Sequence, residues 1–150
     1  MKEMRIVIGS DHAGFELKEH IKQFLEYKKI NYEDGGTTSS NSVDYPDIAV
    51  KISNNYLDNH FDYGILVCGS GIGMSIVANK IKRIRAALCN TVEMAKLARL
   101  HNNANILCLG GRIVSFKEAE HIIATFLSTE FSSEERHHQR VNKIHELTGV

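Results

Sequence analysis

The sequence predicts an α/β fold: a single-domain, three-layer α/β/α sandwich around a five-stranded parallel, Rossmann-like sheet, with an extra C-terminal helix. Two observations lead to this prediction. Strand-like and helix-like apolar patterns alternate five times along the chain, an order typical of a parallel sheet with helices on both faces. The length of 150 residues, of which 43% are hydrophobic, suits one domain with one core, and no linker, repeat or low-complexity segment divides residues 1–150.

The first half of the chain supplies two predicted strands and two predicted helices. Apolar residues from Phe15 to Leu25 repeat at helical spacing, and Pro46 suits the first turn of a helix because its missing N–H is not needed there. The elements are a strand at residues 5–9, a helix at 13–28, a strand at 30–34, a polar loop at 35–43, and a helix to about residue 57 that Asp44 or Asp47 can cap.

The second half continues the alternation and adds the last helix. Thr91 is a predicted N-cap, and Ser115 and Glu118 have the spacing of a capping box, in which each side chain bonds the other residue's backbone N–H. The elements are a strand that ends at residue 68 with a helix to about 81, a strand at 85–89, a helix from 91 to about 101, a strand at 105–109, a helix from 115 to about 127, and a final helix at 133–147.

The composition excludes several classes of partner. Eighteen basic residues balance eighteen acidic ones, so no bulk charge attracts nucleic acid or an anionic membrane. No apolar run approaches the roughly 20 residues of a membrane span, and the N-terminal residues lack the shape of a signal peptide. The three cysteines are odd in number and lack paired metal-binding spacing. We therefore expect a cytoplasmic protein without a bound metal.

The most informative motif is the glycine loop at residues 68–73, Cys68-Gly69-Ser70-Gly71-Ile72-Gly73, between a predicted buried strand and a predicted helix. Ligands of open parallel sheets gather at the carboxyl ends of the strands. The backbone N–H groups of such a loop favour negative charge, including a cysteine thiolate. An equally good interpretation is that Cys68 is a small hydrophobic core residue. Cys89 and Cys108 lack such a loop and are interpreted as core.

Three better-known glycine motifs do not fit this loop. The glycine spacing fails the dinucleotide fingerprint, and Met74 stands where a P-loop needs lysine and where a cysteine phosphatase needs arginine. What remains is an anion cradle with a thiol at its edge. On physical grounds alone, a phosphate group would bind this loop.

Two further groups of polar residues are candidates. Asp11 and His12 follow the first strand and belong to the same sheet edge, although Asp11 could simply cap the first helix. Arg136 and Arg140 are four residues apart, so they share one helix face and can grip one phosphate. Taken alone, the two arginines fit a solvated basic face paired with neighbouring glutamates better.

Together these residues resemble the B-type ribose-5-phosphate isomerases, a family that includes allose- and galactose-phosphate isomerases. The resemblance covers nearly the whole chain. Its motifs are Gly9-Ser10-Asp11-His12-Ala13-Gly14, Asp44-Tyr45-Pro46-Asp47, the glycine loop, Ala78-Asn79-Lys80, His101-Asn102, Gly110-Gly111-Arg112 and Arg136-His137-His138-Gln139-Arg140. Each motif is weak by itself, but their shared order along the chain is specific.

The resemblance implies an aldose–ketose isomerisation of a phosphorylated pentose through an enediolate, in the non-oxidative pentose phosphate pathway, without a cofactor or metal. It implies that Cys68 moves the proton between C1 and C2 and that His101 helps open the sugar ring. Ser70 and the N–H groups of Gly69, Gly71, Ile72 and Gly73 would steady the enediolate oxygens. The other implied substrate contacts are Asp11, Tyr45 and Asn102 for the sugar, and His12, Arg112, Arg136 and Arg140 for the phosphate. Relatives that use a glutamate base carry it where this chain has Met74, which leaves Cys68 as the base.

The predicted topology separates two of these residues. His101 ends a helix that leads into the fifth strand, so it belongs at the amino edge of the sheet, whereas Cys68 belongs at the carboxyl edge. A strand of five or six residues spans roughly 17–20 Å. We therefore expect a homodimer in which Cys68 of one subunit and His101 of another share a site. The sequence leaves open whether dimers pair into tetramers.

Two alternatives to a ribose-5-phosphate isomerase remain. One is an isomerase of allose 6-phosphate or galactose 6-phosphate, which differs in the length of the sugar pocket. The other is a non-catalytic sugar-phosphate sensor on the same fold. A sensor would have no need for Cys68 together with His101, so their joint presence favours the enzyme.

Overall fold

The computed structural model describes residues 2–150 and contains one parallel sheet with helices around it. The strands are β1 (Arg5–Ser10), β2 (Asn31–Asp34), β3 (Tyr63–Cys68), β4 (Ala86–Leu88) and β5 (Ile106–Gly110). The helices are α1 (Phe15–Tyr27), α2 (Tyr45–Asp58), α3 (Ile72–Ala78), α4 (Val92–Leu100), α5 (Phe116–Ser128) and α6 (Glu135–Thr148).

The five strands lie in the order β2-β1-β3-β5-β4, and every neighbouring pair is parallel. The central strands β1, β3 and β5 are buried on both faces, which explains their continuous apolar runs. Because parallel neighbours need a crossover, each strand is followed by a helix that returns to the amino edge. The predicted five-stranded parallel sheet is therefore confirmed.

Two apolar clusters cover the two faces of the sheet and make the three layers. One cluster contains side chains of α1, α4 and α5, among them Leu25, Ala98 and Phe126. The other contains side chains of α2 and α3, among them Ile52 and Met74. The extra helix, α6, belongs to neither layer and buries only His137 and Val141.

The predicted caps of α4 and α5 are confirmed. The hydroxyl of Thr91 accepts the N–H of Met94 at 3.1 Å. Ser115 accepts the N–H of Glu118 at 3.1 Å, and Glu118 accepts the N–H of Ser115 at 2.7 Å. These bonds satisfy N–H groups that have no partner inside the helix.

The cap of α2 differs from the prediction. Asp44 occupies the N-cap position but its side chain makes no capping hydrogen bond, and Asp47 lies inside the first turn. Of the two predicted caps, Asp44 thus holds the N-cap position without a side-chain bond, and Asp47 is not the cap. A carboxylate in the first turn still favours the helix through the helix dipole, without bonding its end.

Several helix and strand ends also differ by a few residues. Helix α3 ends at Ala78 because the side-chain amide of Asn79 bonds both the N–H and the oxygen of Ala86, which turns the chain early. Helix α6 starts at Glu135, two residues later than expected, with Glu134 at the N-cap position. The contact between Asn79 and Ala86 spans the turn after α3, so helical periodicity does not reveal it.

Candidate active site

The loops that follow β1, β3 and β5 meet at one edge of the sheet. Ser10 pairs in register with Val67, and Cys68 pairs with Gly110, so these three strands end at nearly the same level. Two backbone hydrogen bonds then link the loops: Asp11 donates to the oxygen of Val67 at 3.1 Å, and Gly111 donates to the oxygen of Cys68 at 2.7 Å. Residues that are far apart in sequence thus form one carboxyl-edge group.

The thiol of Cys68 lies at the centre of this group. Its sulfur accepts the backbone N–H of Gly71 at 3.1 Å, so one amide of the glycine loop points at the sulfur. The residue is also 4% exposed and packs against the apolar cluster beneath it. Both features expected for Cys68, the amide contact and the apolar burial, are therefore present.

The turn of the glycine loop depends on Gly71, which has a φ of 80°. A Cβ atom at this position would lie 2.5 Å from a side-chain carbon of Leu88 and 2.9 Å from the backbone of Leu109. Beside it, the hydroxyl of Ser70 accepts the N–H of Ile72 at 3.2 Å. The loop thus approaches β4 and β5 closely and sets its polar groups at the start of α3.

Asp11 and His12 lie on the β1 side of this edge. The buried carboxylate of Asp11 accepts the N–H of Gly14 at 3.0 Å, in the turn that leads into α1. The Nδ1 atom of His12 lies 3.2 Å from the backbone of Val43, in the loop before α2. Asp11 is therefore not the N-cap of α1, a position that Gly14 occupies, but its carboxylate stabilises the turn before the helix and stays within the carboxyl-edge group.

Tyr45 and Arg112 lie against the glycine loop from two sides. The ring of Tyr45 packs so closely on Gly73 that a Cβ there would lie 2.6 Å from ring carbons. The backbone N–H of Arg112 donates to the oxygen of Gly69 at 2.9 Å, and its guanidinium lies over the same glycine. Among Arg112, Arg136 and Arg140, Arg112 alone lies beside Cys68.

The remaining predicted residues form a second group at the opposite edge of the sheet. Helix α4 runs from the carboxyl end of β4 to the amino end of β5, and His101 is its C-cap. Nearby, the oxygen of Asn103 accepts a hydrogen bond from Arg85 at 3.0 Å, just before β4 begins. His101 and Asn102 therefore lie at the amino edge, as the topology predicts, and far from Cys68 of the same chain.

The two predicted phosphate-binding arginines of α6 belong to this amino-edge group. Both Arg136 and Arg140 are exposed. The guanidinium of Arg136 pairs with Glu134 at 2.6 Å, which agrees with the alternative of a solvated basic face paired with neighbouring glutamates. The two arginines lie near the amino edge because His137, which stands between them on α6, contacts His101.

His137 is a residue that the sequence analysis does not single out. Its ring stacks on that of His101, with centroids 4.4 Å apart, and it is 5% exposed. Burial, together with the nearby His101 and Arg136, lowers the pKa of His137. Its spacing of four residues from the apolar Val141, on the one buried face of α6, is the signal that could have identified it.

The other two cysteines are core residues, as predicted. Cys89 and Cys108 are buried, and burial raises the pKa of Cys89 to about 12. Burial also raises the pKa of Cys108, which lies inside β5. Both thiols therefore stay protonated at neutral pH. Within residues 2–150, no group of three or more His, Cys, Asp or Glu side chains is placed to hold a metal ion.

Comparison with known proteins agrees with this geometry. Residues 6–144 match the family model described as Ribose/Galactose Isomerase. The chain is 39% identical over 140 residues to ribose-5-phosphate isomerase B of Escherichia coli, which covers 93% of both chains. It is 54% identical to the solved structure of a ribose 5-phosphate isomerase from Thermotoga maritima, with a TM-score of 0.93 and coverage of 97% of this chain and 99% of that one.

A second solved structure is equally similar in shape. The type B ribose 5-phosphate isomerase of Trypanosoma brucei has a TM-score of 0.93 and 43% identity, and the match covers 97% of this chain and 99% of that one. The family match and both folds extend over the carboxyl-edge group and the amino-edge group alike. The chain therefore belongs to the ribose/galactose isomerase family, a family of sugar isomerases.

Proposed function

We propose that this protein is a ribose-5-phosphate isomerase that interconverts D-ribose 5-phosphate and D-ribulose 5-phosphate. The observation that carries the proposal is the contact between the Cys68 sulfur and the N–H of Gly71, at the edge where Asp11, Tyr45 and Arg112 also gather. The named relatives in Escherichia coli and Thermotoga maritima support this choice of substrate. The proposed setting is the non-oxidative pentose phosphate pathway of the cytoplasm.

In the proposed mechanism, the thiolate of Cys68 removes the proton from carbon 2 of the open-chain aldose. The electron pair of that C–H bond forms the double bond between carbons 1 and 2, and negative charge develops on the carbonyl oxygen. The thiol then returns the proton to carbon 1, while the hydroxyl proton on oxygen 2 moves to oxygen 1, which gives the ketose. A single group can serve both steps because it alternates between base and acid.

The developing charge needs donors that are already in place. The N–H of Gly71 points at the Cys68 sulfur, and the hydroxyl of Ser70 and the N–H of Ile72 lie in the same loop at the start of α3. Donors fixed before the reaction stabilise an enediolate oxygen without a cost of reorganisation at the barrier. We assign the reacting oxygens to this loop and the phosphate to the arginines.

The second half of the proposed site comes from a partner subunit of the same sequence. His101, which would open the sugar ring, and the phosphate-binding Arg136 and Arg140 lie at the amino edge, away from Cys68 of their own chain. A two-fold dimer can bring the amino edge of one copy to the carboxyl edge of the other. His12 and Arg112 would complete the phosphate contacts from the Cys68 side.

Exposed apolar side chains support such a dimer. Ile76 on α3 is 56% exposed and Leu97 on α4 is 37% exposed, and Ile72 and Met94 lie on the same two helices. Helix α3 contacts β4, an edge strand of the sheet, and α4 follows β4 along the chain. An exposed apolar surface is typical of a subunit interface, and here it lies near a site that lacks some of its proposed residues.

The test of the proposed function is turnover of ribose 5-phosphate by the purified protein in the presence of EDTA. We expect activity in the wild type and a loss of roughly a thousandfold in kcat for Cys68→Ala, within the range of general acid–base catalysis. Cys89→Ala is the matched control, because it removes a buried thiol that no glycine loop surrounds, and it should keep near wild-type activity. Unchanged turnover in Cys68→Ala would contradict the proposed base.

The same assay separates the two other functions. The family description names both ribose and galactose isomerases, so the assay should also include allose 6-phosphate and galactose 6-phosphate as substrates. Preferred turnover of a hexose phosphate would identify the longer substrate. Binding of sugar phosphates without turnover of any aldose phosphate would instead identify a sensor.

A further inference from the structure

Lys18, near the start of α1, is a completely buried cation with none of its side chain exposed. Its ammonium group donates to both carboxylate oxygens of Asp34, at 2.7 and 2.8 Å, and to the backbone oxygen of Thr37 at 2.7 Å. These three bonds use all three N–H donors of the group. Because a buried charge needs partners, the positions of Asp34 and Thr37 are strongly constrained.

Asp34, the last residue of β2, is the carboxylate partner of Lys18. Its carboxylate also accepts the N–H of Gly36 at 2.9 Å and a bond from Lys22 at 2.9 Å. Burial disfavours its charged form, but the hydrogen bonds that it accepts outweigh burial and keep the pKa of Asp34 below its ordinary value. The ion pair therefore persists at neutral pH and ties α1 to the chain that leaves β2.

The chain that leaves β2 is the loop of residues 35–44, which runs beside the end of β1. Three backbone hydrogen bonds of 2.8 Å fix its first residues: Gly35 donates to Ile8, Ser10 donates to Gly36, and Thr37 donates to Ser10. Within residues 2–150, the ammonium of Lys18 is the only side-chain group that bonds the backbone oxygen of Thr37. The buried ammonium thus completes the anchor of this loop.

The far end of the 35–44 loop reaches two residues of the carboxyl-edge group. The backbone of Val43 lies 3.2 Å from Nδ1 of His12, and Tyr45 follows with its ring on Gly73. The 35–44 loop connects Thr37 to Val43 and to Tyr45, the first residue of α2. We expect its release at Thr37 to loosen the Val43 contact of His12 and the start of α2 at Tyr45, while the rest of α2 keeps its core contacts. The glycine loop itself would keep its own contacts, since Cys68 is held by Gly71.

We propose that Lys18 is a positioning residue for substrate binding, which fixes the 35–44 loop and through it the contact of Val43 with His12 and of Tyr45 with Gly73. This inference rests on the proposed function, because His12 and Tyr45 would bind the phosphate and the sugar. Lys18 acts on binding rather than on proton transfer. Its loss should therefore raise KM much more than it lowers kcat.

The test compares Lys18→Met with two matched controls in the full-length protein. Lys22→Met removes a lysine that binds the same Asp34 carboxylate but does not bond Thr37. Leu25→Ala removes a buried side chain of the same helix and weakens the core without touching the loop. We expect KM for ribose 5-phosphate to rise about tenfold or more in Lys18→Met, with kcat within about threefold, and near wild-type KM in both controls.

Hydrogen exchange supplies a readout that does not depend on turnover. We expect faster exchange at the backbone N–H groups of Gly36, Thr37 and Val43 in Lys18→Met, and unchanged exchange at Gly71. Asp34→Asn removes the charge that holds the Lys18 ammonium, and it should show faster exchange at Thr37 and Val43, whose N–H groups Asp34 does not bind, if Lys18→Met does not fold. A wild-type KM in Lys18→Met, or KM increases in Lys22→Met and Leu25→Ala equal to that in Lys18→Met, would overturn the proposal.

Failure of the proposed function would look different. If the wild type turned over no sugar phosphate while the 35–44 loop loosened only in Lys18→Met and Asp34→Asn, the loop anchor would stand and the substrate assignment would fall. If exchange in the loop stayed slow in both variants, Lys18 would not position the loop, whatever the protein turns over.

Discussion

The close packing of Tyr45 on Gly73 makes the first turn of α3 part of the proposed sugar pocket. A Cβ at this position would meet ring carbons at 2.6 Å, and the ring, which is partly exposed, is the group that can move. Glycine is also a poor helix former compared with alanine. Glycine at position 73 therefore lowers the stability of the helix but leaves room for the ring of Tyr45.

We predict that Gly73→Ala weakens substrate binding without weakening the fold. The displaced Tyr45 ring should raise KM about tenfold, while the free energy of unfolding stays equal or rises by about 1 kcal/mol from helix propensity. Michaelis kinetics and urea unfolding measure the two effects. In a Tyr45→Leu background the same substitution should have little further effect on KM. Additive losses in the double variant would show that the two residues act independently.

The ion pairs of Asp34 give the protein a specific weakness at acid pH. The pKa of this carboxyl is lower in the folded chain than its ordinary value of about 3.9. Its contribution to stability is therefore fully present above that ordinary value and is lost as the pH falls through the lower folded pKa. Lys22 shares the same pair, since its hydrogen bond with Asp34 raises the pKa of Lys22.

We predict that the urea midpoint of the wild type falls more steeply between about pH 5 and pH 2 than that of Asp34→Asn, which has no carboxyl to protonate at this position. Unfolding curves at a series of pH values measure this slope. Asp58→Asn, which removes an exposed carboxylate at the end of α2, serves as the control and should leave the slope near that of the wild type. Parallel slopes for the wild type and Asp34→Asn would contradict the prediction.

The sequence predicts a helix end when the bonds that form the end lie within a few residues of it. The caps at Thr91 and Ser115 need only a side chain three residues from an N–H group, so their spacing identifies them. The end of α3 depends instead on Asn79 bonding Ala86, and the buried face of α6 depends on His137 reaching His101. No local pattern contains those partners.

We predict that Ser115→Ala lowers the free energy of unfolding by about 1 kcal/mol, because both bonds of its capping box are formed. Ser133→Ala is the matched control: this serine precedes α6 but does not occupy its N-cap position, and the change should stay within about 0.5 kcal/mol. Urea unfolding of the two variants tests the difference. Equal losses would show that the capping box contributes no more than an ordinary surface serine.

The predicted site residues form two groups at opposite edges of the sheet, and this separation favours a site shared between two subunits. Cys68 and His101 of one chain are held apart by the length of the parallel strands between them. Neither group can carry the proposed reaction alone, because one would hold the base and the other the ring-opening histidine. The prediction of a shared site in a homodimer can therefore be tested by mixing subunits.

We predict that Cys68→Ala and His101→Ala restore activity to each other when they are unfolded together and refolded as a mixture. Each variant alone should be nearly inactive. In a random mixture, half of the dimers are mixed and each of those has one intact site, which gives about a quarter of the wild-type activity. Activity assays on the refolded mixture measure this recovery, and separately refolded samples mixed afterwards are the control. No recovery would indicate a site built within one chain.

The sequence by itself determined the order of strands and helices along the chain, the parallel sheet, the N-cap at Thr91, the capping box at Ser115 and the glycine loop with its thiol. These features depend on residue periodicity and on partners within a few residues, which a sequence displays directly. Only the tertiary structure decided that Lys18 is buried against Asp34, that Tyr45 rests on Gly73 and that His137 stacks on His101. Each of these contacts joins elements distant along the chain, and their geometry exists only once the sheet and its layers are packed.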